Sequence, residues 1–256
     1  PGGGAPQLLF CVEKDKAQAV TRLQEALRGD PKASRARVIV LPHRYPQGGE
    51  RQLIQAVLGW ELGAGVLPAQ AGVLVSNVAT AAAMADALQG HPLTHRIVTV
   101  SGKVGRPGNY RVPVGTLLAD LLAHAGGALP ESERDVLVSG GPMTGRLIQR
   151  GPSGPAGEEV VLKTTGGLLA LAREDGEEHP CIRCGGCARV CPSRLMPFVI
   201  DAAAIAGDSE TCVRYHADQC IACGCCSYIC PAYRRLAARV SMAREGIRAR
   251  ARRASS

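Results

Sequence analysis

Apolar and polar positions follow two periods along the first hundred residues. Gln7–Val12 (QLLFCV) is a short apolar run of strand type, and Arg37–Leu41 (RVIVL) is β-branched and strand-like. Between them, Asp15–Arg28 places Val20, Leu23 and Leu27 at helical spacing and stops at Gly29-Asp30-Pro31. Glu50–Leu58 reads as a helix and Gly72–Ser76 (GVLVS) as a further strand. Asn77 is placed to cap an Ala-rich helix over Val78–Leu88, which Gly90 and Pro92 end. This alternation predicts a layered α/β unit.

The pattern then changes. His95–Ser101 is a strand, residues 102–110 are turn chemistry, and Arg111–Val114 resumes as a strand. Thr116–His124 is a helix closed by Gly126-Gly127, and Val136–Ser139 is a returning strand. A hairpin, a helix and a return strand predict a small α+β module. Residues 149–159, rich in Gly, Pro and Ser, read as an exposed connection, and Glu174–His179 as a charged linker. Arg234–Arg253, rich in Arg and Ala, predicts a helix.

A length of 256 residues suits one to three domains, and 46% hydrophobic against 20% charged residues excludes a largely disordered chain. Aromatics are 3%, which leaves little material for stacking nucleic-acid bases. The net charge is +8, but residues 232–256 hold eight Arg and one Glu, so the basic balance belongs to the tail. That tail is expected either to rest near anionic lipid or an acidic partner, or to be a solvated helix. No run reaches the roughly 18 apolar residues of a membrane helix; Leu62–Val75 is broken by Pro68 and Gln70. The chain starts at Pro1, without Met or a signal-peptide pattern, and reads as the back part of a longer protein.

The cysteines carry the chemistry. Their number, 11, is odd, and all but Cys11 lie between Cys181 and Cys230, the distribution of a metal-binding segment in a reducing compartment. Cys181-x2-Cys184-x2-Cys187-x3-Cys191-Pro192 and Cys220-x2-Cys223-x2-Cys226-x3-Cys230-Pro231 both have the bacterial [4Fe–4S] spacing. In that pattern three close cysteines wrap one cluster and the fourth reaches the other. Cys181, Cys184, Cys187 and Cys230 are therefore expected on one cluster, and Cys191, Cys220, Cys223 and Cys226 on the second. Gly185, Gly186 and Gly224 would let loop backbone approach the sulfides. Zinc is the competing reading, but zinc ribbons use two separated C-x2-C knuckles. Cys225 reads as a small buried filler, Cys212 as a buried thiol or, second, a substitute ligand, and Cys11 as core. Arg183, Arg189 and Arg194 would either raise a cluster's potential or form a solvated face.

Weaker signals remain. Gly48 and Gly49 precede a helix start, where backbone amides could cradle a phosphate, or simply turn the chain. Asn77 at a strand-to-helix junction could meet a cofactor, or simply cap. The six histidines show no ligand spacing. Neither Gly-x-Ser-x-Gly nor a Walker A motif occurs, so hydrolase and kinase readings have no support.

Taken in order, residues 7–235 resemble the C subunit of the Rnf electron-transport complex. The likeness rests on Tyr45-Pro46-Gln47-Gly48-Gly49-Glu50, Asn77-Val78-Ala79-Thr80, Val98-Thr99-Val100-Ser101-Gly102 and Pro107-Gly108-Asn109. It continues through Gly140-Gly141-Pro142-Met143-Thr144-Gly145, Lys163-Thr164-Thr165 and both cysteine motifs. The resemblance implies an α/β and α+β multidomain chain. Residues 1–92 would be the later part of a flavin/NADH-binding domain like that of the complex I flavoprotein, and 93–148 a soluble-ligand-binding β-grasp module. Residues 149–174 would be a connector, 175–235 a ferredoxin-like domain with two [4Fe–4S] clusters, and 236–256 a basic tail.

It also implies FMN and NAD(H) as cofactors of the full-length protein, with Gly48, Gly49, Asn77 and Thr80 at the flavin or nucleotide. The family's Gly-rich loop lies earlier, so this chain is expected to be a fragment beginning after it. The implied function is electron relay in an ion-translocating ferredoxin:NAD oxidoreductase, peripheral on the cytoplasmic side of the bacterial inner membrane. The other complex subunits would be its partners, ferredoxin an indirect one, and nucleic acid none. A cobalamin reductase of bacterial microcompartments shares the domain order and stays open, as does a non-catalytic iron–sulfur wire or docking module.

Overall fold

A computed structural model describes residues 6–63, 65–127, 136–148, 158–172 and 176–254. The chain divides into two units, Pro1–Val75 and Ser76–Ser256.

In the first unit, β1 (Leu8–Glu13) and β2 (Ala36–Leu41) pair in parallel, Leu8 opposite Ala36 through to Glu13 opposite Leu41. Parallel neighbours need a crossover, and α1 (Ala17–Leu27) supplies it. α2 (Glu50–Leu58) starts at Gly49 and ends at Gly59 in the left-handed conformation. Arg51 of α2 then holds the following loop, donating to the carbonyls of Leu62 at 2.9 Å, Gly63 at 3.0 Å and Val66 at 2.7 Å. The strand expected at Gly72–Ser76 does not form. Among the described residues no strand lies beside it to pair its backbone, and Leu74 is 85% exposed.

The second unit opens with α3 (Val78–Leu88), capped as expected by the Asn77 side chain, which accepts from Ala79 N–H at 2.9 Å. A five-stranded sheet follows in the order β4-β3-β7-β5-β6, from β3 (His95–Gly102), β4 (Gly108–Pro113), β5 (Val136–Ser139), β6 (Arg146–Ile148) and β7 (Gly167–Leu171). β3 and β7 are parallel at its centre and the other pairs are antiparallel. α4 (Leu118–His124) seals one face, burying Leu118, Leu121 and Leu122 with Val98, Val100, Val112, Leu137 and Leu168. β3 shows why: Val98 and Val100 alternate inward while Ile97 and Thr99 face out. One expectation changes here. Residues 149–174 are not simply a connector, because β7 is the sheet's central strand. Thr165 stands just before it, its hydroxyl accepting from Leu162 N–H at 2.9 Å in a buried turn.

The cysteine segment forms a small helical body. α5 (Gly186–Arg189) and α8 (Cys225–Tyr228) are single turns inside the two motifs. Between them lie α6 (Pro197–Ile205) and α7 (Ser209–Arg214), the latter capped by the Asp208 carboxylate. α9 (Leu236–Ala254) closes the body, and Ser227 caps its first turn through Ala237 N–H at 2.8 Å. Leu195, Ile200, Ala203, Cys212, Ala217 and Val240 form the core.

α9 corrects the reading of 236–256 as a tail. Arg234 and Arg239 turn inward to Asp201 of α6, which is 1% exposed, with Arg234 Nε at 2.8 Å and Arg239 Nη1 at 3.0 Å. Glu178 completes the group, accepting from Arg239 at 2.5 and 2.7 Å. Arg244 and Arg248 donate to the carbonyls of Cys220 and Asp218 at 3.0 and 3.1 Å. A charge count cannot distinguish a solvated arginine from one holding a neighbouring carbonyl, and these four hold the body together.

Candidate metal centre

The two cysteine motifs repeat 39 positions apart, 181 to 220 through 191 to 230, and the backbone repeats with them. Arg183 and Ala222 have φ of 54° and 54°, Gly185 and Gly224 of 71° and 82°, Arg194 and Tyr233 of 53° and 49°. Left-handed backbone costs a non-glycine residue roughly 1–2 kcal/mol. Its recurrence at matched sites means both loops are bent the same way for the same purpose. The bend turns amides toward sulfur: Arg183 N–H donates to Cys181 Sγ at 3.4 Å, and Ala222 N–H to Cys220 Sγ at 3.3 Å. Leu195 N–H donates to Cys191 Sγ at 3.4 Å. Such bonds stabilise negative charge on sulfur.

Two cavities result. Cys181, Cys184, Cys187 and Cys230 line the first, with Phe198 and Leu236 behind them. Cys191, Cys220, Cys223 and Cys226 line the second, with Leu195 and Val240. Each has about 350 to 360 Å³ of empty space, its open mouth included. In each, three cysteines come from one motif and the fourth from the other. Cys225 also reaches the second wall and is only partly buried, so it is not the buried filler expected of it. Cys212 is buried with Sγ 3.9 Å from the Ile200 carbonyl, and Cys11 is half-buried in β1.

The sulfur spacing bears on which metal fits. Four thiolates on one zinc ion, at about 2.3 Å each, stand about 3.8 Å from one another. Among the described residues no three cysteine sulfurs lie within 4.8 Å of one another. The cavities suit a larger, multi-metal group held at its corners. Burial pushes the Cys226 thiol up to about 12, the Cys220 and Cys223 sulfurs adding to the effect. Burial also raises Cys187, Cys191 and Cys223. At these four cysteines a bare thiolate is thus disfavoured, and metal would replace protons there.

Residues that no motif marks also shape the site. Met143, on the β5–β6 hairpin, lies against Gly224 of the second loop. Glu178, ahead of the first motif, and Asp201, between the two motifs, both accept from Arg239 of α9. Neither spacing nor composition marks these partners, which only the tertiary fold brings together.

The nucleotide candidates fall in separate units and are described separately. In the first, Gly49 N-caps α2 without a side-chain cap, leaving first-turn amides of a nine-residue helix available. A Cβ at Gly49 would stand 2.6 Å from Gln52 Oε1, the end of a side chain that can turn away, and 3.1 Å from the Pro46 carbonyl, so the turn is tight there. Gly48 has open space beside it. In the second, Asn77 is engaged in capping α3 and Thr80 is exposed in its first turn.

Two family models match, the Nuo51 FMN-binding domain over residues 3–86 and the SLBB domain over 97–147. The C subunit of the ion-translocating oxidoreductase complex of Rhodobacter capsulatus is 41% identical over 81% of this chain and 39% of its own length. The C subunit of the proton-translocating ferredoxin:NAD(+) oxidoreductase complex of Clostridium ljungdahlii is 36% identical over 74% of this chain and 40% of its own. The Na(+)-translocating counterpart from Acetobacterium woodii is 38% identical over 74% and 41%. The chain spans about two fifths of the length of these relatives. Residues 3–86 thus match the Nuo51 FMN-binding domain and residues 97–147 the SLBB domain, and over most of its length the chain is similar to the C subunits of ion-translocating oxidoreductase complexes.

Proposed function

We propose that the chain is the electron-relay part of a membrane-bound ferredoxin:NAD oxidoreductase coupled to ion translocation. Cys181, Cys184, Cys187 and Cys230 hold one [4Fe–4S] cluster, and Cys191, Cys220, Cys223 and Cys226 the other. Such clusters, when bound, supply one-electron steps between a two-electron flavin and a one-electron partner. The protein contributes the corner thiolates, the amides on sulfur and the dry walls that set potential. Gly48, Gly49, Asn77 and Thr80 contribute to a flavin and NAD(H) site in the full-length protein. Other subunits of the complex are its partners. Attachment is peripheral, on the cytoplasmic face; no helix among the described residues is long and apolar enough to cross a membrane.

The observation that carries this reading is the crosswise lining of the two cavities by the two motifs. The names of the relatives favour it over a cobalamin reductase. The test is an anaerobic absorbance titration of the reconstituted full-length protein, with NADH added before dithionite. Bleaching of the iron–sulfur band by NADH is expected. Bleaching by dithionite alone would reduce the chain to a wire fed by another protein.

A further inference from the structure

We propose that Cys225 is a reserve ligand at the second cavity, able to take the corner held by Cys223. This rests on the two-cluster reading above. Five cysteines line the second cavity and four the first, so the second wall holds one thiol more than a four-cornered cluster uses. Cys225 is that thiol, and it is only partly buried. Cys212 cannot serve the same way. It is buried, its Sγ lies 3.9 Å from the Ile200 carbonyl, and it lines neither cavity.

The internal repeat identifies the corner within its reach. At the repeat distance of 39 positions, Gly186 matches Cys225 as Cys184 matches Cys223. Gly186 and Cys225 each open a single-turn helix, α5 and α8, after a glycine in the left-handed conformation. A Cβ on Gly186 would have Cys184 Sγ as its nearest neighbour outside the adjoining backbone, at 3.6 Å, an ordinary contact. This position therefore looks onto the sulfur of the second cysteine of its own motif. In the second motif a side chain occupies it, and the Cys223 sulfur meets both the backbone N–H and the thiol of Cys225. Two thiols held side by side on one loop exchange a bond partner without a diffusional step. In the exchange Cys225 gives up its thiol proton and forms a sulfur–iron bond, while Cys223 releases its own sulfur–iron bond and takes the proton. No electron is transferred. The first cavity has no such thiol, since its four lining cysteines are all corner ligands. The second site is therefore the one that survives loss of its middle loop cysteine.

The test uses the full-length protein, reconstituted anaerobically with iron and sulfide. Iron and acid-labile sulfide per chain are measured together with the electron paramagnetic resonance spectrum after dithionite. Wild type holding about eight of each checks the two-cluster reading separately. Cys225→Ala should match wild type, because Cys223 keeps its corner. Cys223→Ala should also keep about eight iron, with a shifted signal from the second cluster, whereas Cys223→Ala with Cys225→Ala should fall to about four. In the first loop Cys184→Ala should fall to about four at once, and adding Gly186→Cys should restore the lost iron. That restoring pair keeps the test decisive if the second loop misfolds when altered. Depletion of folded Cys223→Ala to the level of the double variant would overturn the proposal. Iron loss in Cys225→Ala alone, or no recovery with Gly186→Cys, would overturn it as well.

Discussion

The carbonyl oxygen of Met143 stands 2.8 Å from the point where a Cβ would project from Gly224, and the Met143 methyl stands 3.4 Å from it. A hairpin of the sheet thereby rests on the second cysteine loop, at a residue whose φ of 82° already favours glycine. Gly224→Ala meets both obstacles. The left-handed backbone alone costs roughly 1–2 kcal/mol, and the backbone carbonyl cannot rotate away. The variant should lose iron from the second site first and melt earlier than wild type. Iron content and a thermal scan check this; an unchanged pair of values would mean the hairpin does not rest there.

Asp201 is the buried member of a group with Arg234, Arg239 and Glu178 that ties α6 to α9. Removing one partner of a buried pair leaves charge without compensation, at about 3–5 kcal/mol. Asp201→Ala should therefore lower the urea midpoint strongly. An exposed change such as Arg111→Ala should stay within about 0.5 kcal/mol of wild type.

Glu178 gives that group a pH dependence. The Arg239 guanidinium holds its carboxyl below the ordinary value of 4.5. A depressed carboxyl pKa contributes stability that is fully present above the unfolded value and is lost as pH falls through the folded one. Wild type should therefore exceed Glu178→Gln in stability near neutrality, and the gap should close below about pH 4.5. Because Glu178 is partly solvated, the gap should be modest and shrink with salt. Melting curves at pH 7, 5 and 3.5 in both proteins test the sign.

Much of this was legible from the chain alone. α2, α3 and β5 lie at the residues that periodicity assigns, and Asn77 caps α3 as its residue type signals, without tertiary context. β7 was not legible: Gly167–Leu171 has no β-branched residue and opens on the second of two glycines, so it reads as linker. It becomes a strand because β3 and β5 both offer it backbone partners. The opposite holds at Gly72–Ser76, which has the β-branched composition and no neighbour among the described residues. Arg234 and Arg239 were counted as tail charge because their partners lie more than thirty positions away. Which cysteines line which cavity follows the spacing, which sets three close cysteines apart from a fourth.

The crossed fourth cysteines give a sharper expectation than the motifs do. Cys191→Ser should deplete the second cavity, whose other cysteines are Cys220, Cys223 and Cys226. Cys230→Ser should deplete the first. Spectra of reduced variants should thus each retain one signal, the opposite one in the two cases. Loss of the signal belonging to the mutated motif's own loop would mean each motif binds its own fourth cysteine.

The most direct measurement is the iron and acid-labile sulfide content of the chain after anaerobic reconstitution. Two clusters predict about eight of each per chain. Two zinc ions with no sulfide, or no more than about four iron, would contradict the account.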